Sequence, residues 1–214
     1  MAQTTQSISI EAWDAGGADL AALHRSLAAL DRFSEIIPAD LEPLRAKGLV
    51  HAHVRLRGAG IVLRIPRLSS FGFAPAENLA YQAACFARAA ASGHVPDLIG
   101  TIAPQPGIPW GALIISEIDG GTPPVPDGMA AIARALAAIH AVPVPSPHAR
   151  PPVPSHDDPV AATLDVIEAQ ARFLPDAGLD AGARAQIQGE LARARAFALS
   201  ASDADTPVTL VGTD

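Results

Sequence analysis

Leucines recur at positions 20, 23, 27 and 30, the three- and four-residue spacing of one helical face, and predict a helix over 19–33 with Asp19 or an earlier small residue as its cap. The stretch IIPADLEPLRAKG reads as a short helical turn ended by Gly48. From Leu49 the period drops to two. In LVHAHVRLRGAGIVLRIP, Val50, Ala52, Val54 and Leu56 share one face, while His51, His53, Arg55 and Arg57 share the other. Gly58-Ala59-Gly60 interrupts the run, so the pattern predicts a β-hairpin whose second strand covers 61–65.

After an irregular stretch, Pro75 suits the first position of a helix, with Glu77 in its positive first turn, and that helix should run to Ser92 and stop at Gly93. HVPDLIGTI and WGALIISEI then predict two strands around a Pro/Gly turn. Residues 49–118 therefore read β-β-α-β-β. Prolines and glycines cluster in DGGTPPVPDG, and the pattern beyond is helical: one helix capped by Asp127 with Met129, Ile132, Leu136 and Ile139 on its apolar face, a second begun by Asp158-Pro159, and a third begun by Asp180. A last strand is predicted over 208–211, leading into Gly-Thr-Asp.

Composition narrows the function classes. With 214 residues, 49% hydrophobic content and mean hydropathy +0.24, the chain can bury a sizeable core. Its net charge is −7 and Lys47 is its one lysine, so no basic patch for phosphate backbones is visible and nucleic acid is not an expected partner. The acidic balance is compatible with a cationic small molecule. There is no long uncharged apolar run and no basic, apolar leader at the start, so the expectation is a cytoplasmic protein with no membrane partner. Cys85 is the one cysteine, which rules out an intrachain disulfide, and its neighbours YQAACFARAAA make it a small apolar residue. His51 and His53 point to one face but find no third metal ligand, SHDDP with Asp165 reads as a solvated loop and cap, and no Gly-x-Ser-x-Gly elbow is present.

A single charge in an apolar strand needs a partner, and Arg64, central in IVLRIP, is such a charge. On residues alone, Arg64 fits either an exposed edge or a site, Glu77 fits either a helix terminus or an ion pair, and Ile114 to Ile118 reads as a buried strand with a polar exit. The order of the elements adds to this. A hairpin ending VLRIP, a helix opening with glutamate, a strand ending LIISEIDGG, a helix ending LAAIHAVP and then TLVGTD together resemble the aminoglycoside phosphotransferase and choline kinase-like family, over about 48–214.

The resemblance implies an α+β, protein-kinase-like two-lobed fold, with a nucleotide-binding sheet lobe and leading helix over 1–117 and the first part of a helical lobe over 118–214. It implies ATP and Mg2+ as cofactors and transfer of the γ-phosphate to a small-molecule hydroxyl. Such chemistry needs cations and N–H groups to fix the triphosphate and a carboxylate to orient the acceptor. By resemblance, Gly48 and the turn through His51 form the loop over the phosphates, although repeated glycines are missing. Arg64 meets the α- and β-phosphates with Glu77 as its partner. Ser116, Glu117 and Ile118 form the hinge that reads adenine, and Asp214 is the catalytic-loop aspartate. His140 has a structural role. The magnesium ligands are expected beyond residue 214, which makes the chain a fragment expected to be inactive by itself. Gly-Thr-Asp replaces the family's frequent histidine-glycine-aspartate, so the alternative is a catalytically silent kinase-like module that binds a nucleotide or another ligand.

Overall fold

The dyad alternation around the glycine break does form a hairpin. In the computed structural model, which describes residues 18–45, 48–121, 124–156, 158–201 and 209–210, strand β2 (His51–Leu56) pairs antiparallel with β3 (Ile61–Pro66), with His53 opposite Arg64 and Val54 opposite Leu63. Gly58 and Gly60 in the turn have φ of 71° and 63°, a conformation that costs glycine nothing. The hairpin sits inside a five-stranded antiparallel sheet in the order β1-β2-β3-β5-β4, where β1 is Leu41–Pro43, β4 is Leu98–Ile102 and β5 is Ala112–Ser116.

β1 corrects the reading of IIPADLEPLRAKG as a helical turn alone. The turn exists over Pro38–Asp40, but the three residues after it extend and pair with β2, Leu41 against Leu56 and Glu42 against Arg55. A three-residue strand is too short to show a period, and here cross-strand partners decide the conformation.

Alternate residues of the hairpin face opposite helices. Ala52, Val54, Leu56, Ile61, Leu63 and Ile65 are buried with Ala112 and Ile114 of β5, and they pack under helix α1 (Leu20–Ala28), whose Ala22, Leu23 and Leu27 are closed from solvent. Each Val, Leu or Ile side chain among these contributes roughly 1.5–3 kcal/mol by leaving water. Asp19 caps α1 by accepting the Ala21 N–H at 2.8 Å. The helix is shorter than its leucine spacing predicts: it ends at Ala28, a separate turn follows over Asp31–Phe33, and Leu30 is exposed.

The other face is covered by α2 (Pro75–Ala89), which starts on the expected proline, continues as a tighter turn over Ala90–Ser92 and stops at Gly93 with φ 69°. Leu79, Ala83 and Phe86 meet Val62, Leu113 and Ile115 there. Gly111, just before β5, joins the layers. Its φ is +67°, and a Cβ at this position would lie 2.5 Å from the Ile102 carbonyl oxygen and 3.0 Å from Leu79 Cδ2.

The described residues after 121 form only helical elements. Helix α3 (Met129–His140) has Gly128 at its N-cap with no side-chain bond, so Asp127 is not the cap the sequence suggests. The helix leaves Met129 and Leu136 of its apolar face exposed. By contacts the chain divides into two compact units, one running to Val144 and including Thr209 and Leu210, the other beginning at Pro145. The second unit contains α4 (Pro159–Ala171), capped by Asp158 through the Ala161 N–H, and α5 (Ala181–Ala201), where Asp180 accepts from Ala183 N–H. The strand expected over 208–211 lies largely outside the described residues; Thr209 and Leu210 belong to no regular element. The fold is thus α+β, and among the described residues no helix is long and apolar enough to cross a membrane.

Candidate functional site

The polar positions of β2 and β3 lie on the α2 side of the sheet, between a strand that presents cations and a helix that presents amides. Arg64 reaches diagonally along this face toward β2, as a long side chain can. One guanidinium nitrogen, Nη2, lies 3.1 Å from His51 Nδ1, and the guanidinium carbon is 5.9 Å from the centre of the Phe86 ring. His51 is buried, and its other ring nitrogen, Nε2, lies 3.1 Å from Gln82 Oε1 on α2. Arginine cannot accept, so the imidazole accepts at Nδ1 and carries its proton on Nε2, which donates to Gln82. Arg64, His51 and Gln82 form a continuous hydrogen-bonded row. Both imidazole nitrogens are engaged in it, which leaves neither to a metal.

Two sequence expectations change here. His51 is the first residue of β2, not part of a loop over the phosphates, because its burial against Gln82 needs the extended strand. Glu77 is exposed and does not pair with Arg64 among the described residues; its carboxylate instead accepts from the Ala74 N–H at 3.4 Å, closing the first turn of α2. Gly48 lies in an exposed bend between β1 and β2, where a Cβ would meet nothing within 4 Å.

At the far end of β5 the backbone is partly committed. Ser116 N–H donates to the Asp97 carbonyl at 3.0 Å and Glu117 N–H to the Gly60 carbonyl at 2.8 Å. Ile118 is exposed, and its N–H makes no hydrogen bond among the described residues. The Glu117 side chain is also occupied: Arg55 Nε donates to its Oε1 at 2.7 Å, while Glu42 stands 3.5 Å from Arg55 and 3.4 Å from Arg57. The hydrogen bond to Glu117 and then the charge of that carboxylate hold the Arg55 guanidinium above its ordinary pKa; partial burial opposes this, and Glu42 adds a smaller contribution. Asp214 lies outside the described residues. His140, on α3, is exposed, and its carbonyl accepts from Thr209 Oγ1 at 2.6 Å.

Gln82 and Asn78 belong to this face although nothing in the sequence analysis singles them out, and Arg55, which the strand alternation does place there, has no role assigned by that pattern. A signal was present: Asn78 and Gln82, four apart, interrupt the stripe that contains Leu79 and Phe86, and amides on an inward stripe require polar company. Asn78 is almost fully buried, and its Nδ2 has no hydrogen-bond partner among the described residues. Among those residues, no group of three or more His, Cys, Asp or Glu could hold a metal ion. A hollow of about 400 Å³ lies on the opposite face, beneath α1, lined by Arg25, Ser26, Thr101 and Gln105 among others.

The sequence signature of the Phosphotransferase enzyme family matches residues 52–208, most of the chain and, apart from α1, β1 and the first residue of β2, the sheet and helices described above. No curated protein and no solved structure matches the chain.

Proposed function

The chain belongs to the phosphotransferase enzyme family, and from that premise we propose that it uses ATP to phosphorylate the hydroxyl group of a small molecule. ATP with magnesium supplies the transferable phosphoryl group. The observation that carries the reading is the position of Arg64: a half-buried guanidinium on the sheet face opposite the apolar core, oriented by His51 and Phe86. Such a planar cation suits two phosphate oxygens better than an ammonium would. The uncommitted Ile118 N–H provides a donor for the edge of a purine, while the neighbouring Ser116 and Glu117 amides keep the strand end in place. These features fit a nucleotide; the described residues supply no metal site, and no step is assigned to one.

In this reading Asp214 accepts the hydroxyl proton of the substrate. No raised pKa is needed, because in a loose transition state the proton leaves late and orientation matters more than basicity. The acidic balance of the chain, −7, is compatible with a cationic acceptor such as an amino-alcohol or aminoglycoside, and the reading is of an enzyme acting in the cytoplasm. The test is transfer of labelled phosphate by the protein and its Asp214→Asn variant across amino-alcohols, sugars and aminoglycosides. Turnover should fall about 10²-fold or more in the variant. Equal turnover removes Asp214 from the mechanism, and ATP binding without transfer to any acceptor selects the silent module instead.

A further inference from the structure

We propose that His51 is a positioning residue, which with Gln82 holds the Arg64 guanidinium in one orientation for its phosphate ligand; this rests on the nucleotide reading above. The residue expected to orient Arg64 was an acid, Glu77, but Glu77 is exposed and closes its own helix turn. Among the described residues, a row through His51 and Gln82 stands between strand and helix. Arg64 Nη2 donates to His51 Nδ1 at 3.1 Å, and His51 Nε2 donates to Gln82 Oε1 at 3.1 Å.

Three observations make this row a holder rather than a chance contact. His51 and Gln82 are both about nine-tenths buried, so water is a poor substitute for either hydrogen bond. The proton arrangement is single-valued: because arginine only donates, Nδ1 must accept, and the remaining N–H finds an amide oxygen aligned for it. The guanidinium also rests against Phe86, so its position is set from two directions by β2 and α2. The row also joins α2 to the hairpin, which makes Arg64 geometry sensitive to the seating of that helix.

The experiment is calorimetric titration of the full chain with MgATP and, separately, with adenosine, which has no phosphate. The proteins are the wild type, Arg64→Ala, His51→Phe, His51→Asn and Gln82→Met, each checked by thermal unfolding. His51→Phe and Gln82→Met should each weaken MgATP about tenfold by returning rotamer freedom to Arg64, and leave adenosine unchanged. His51→Asn, whose amide oxygen can stand near the place of Nδ1 but whose shorter side chain does not reach Gln82, should recover part of the loss. MgATP binding as tight in His51→Phe as in wild type, with Arg64→Ala weakened, overturns the proposal while sparing the nucleotide reading. An equal loss of adenosine and MgATP would show a merely structural role and also overturn it. Equal MgATP affinity in wild type and Arg64→Ala removes the nucleotide reading itself, and the proposal with it.

Discussion

On the α1 side of the sheet, Ala52, Val54, Leu56, Ile61, Leu63 and Ile65 are closed from solvent by aliphatic side chains, whereas on the α2 side the alternating positions are His51, His53, Arg55 and Arg64, with Val62 the apolar one among them. The same two strands build both faces. The first face is held by non-directional burial, which tolerates a neighbour of similar volume and reacts to a void. The second has its own apolar cluster around Leu79, Leu113 and Ile115, and adds donors and acceptors with fixed directions: Arg64 to His51 to Gln82, and Arg55 to Glu117. The difference teaches where to expect each kind of damage. Loss of stability alone should follow mutations under α1, and loss of binding should follow mutations of the polar groups under α2.

The largest effect expected is at Leu63, fully buried at the centre of the apolar face. Leu63→Ala should cost about 2–5 kcal/mol in urea unfolding, through lost burial and a residual cavity. A cost near zero would mean that this face is not the core. Next comes Gly111→Ala, where the positive φ and the close Ile102 carbonyl should together destabilise by about 2 kcal/mol or more, read as a lowered thermal midpoint. Glu77→Ala should cost about 0.5–1 kcal/mol, the range of a lost helix cap, and leave MgATP affinity unchanged. A fall in affinity with no loss of stability would restore Glu77 as the partner of Arg64.

The smallest effect expected is a pH dependence that does not appear. Arg55 has its pKa raised in the folded state, so its pair with Glu117 contributes fully below the ordinary arginine value and is lost only as pH rises through the higher folded value. The difference in unfolding midpoint between wild type and Arg55→Met should therefore stay constant from about pH 7 to 10. A difference near zero throughout that interval would show that the Glu117 contact does not hold the guanidinium.

Much of this contrast was legible before any coordinates. The period-two run around Gly58-Ala59-Gly60 predicts the hairpin and the side each residue takes, because a buried face permits one register only. Pro75, Gly93, Asp19, Asp158 and Asp180 mark helix ends through local chemistry that needs no distant partner. What failed depended on distant partners or on competition between local options. β1 forms because β2 is beside it, α1 ends early although Leu30 keeps the spacing, and α3 starts at Gly128 although Asp127 is available. In the site, Arg64 was legible as a lone charge in an apolar strand. Its neighbours were not: Glu77 is the nearer acid in sequence, but the inward stripe of α2 brings Gln82 to His51, and only the packed helix shows which residue wins.

The central claim is that the α2 side of the sheet carries a nucleotide site. Its most direct test is an NMR titration of the chain with MgATP, following the Arg64 side-chain Nε–H, the His51 ring and the Ile118 amide against reporters on the α1 side. The account predicts saturable shifts at Arg64, His51 and Ile118, with Arg25, Ser26 and Gln105 unmoved. Shifts confined to Arg25, Ser26 and Gln105 around the hollow beneath α1, or none at Arg64 and Ile118, would contradict it.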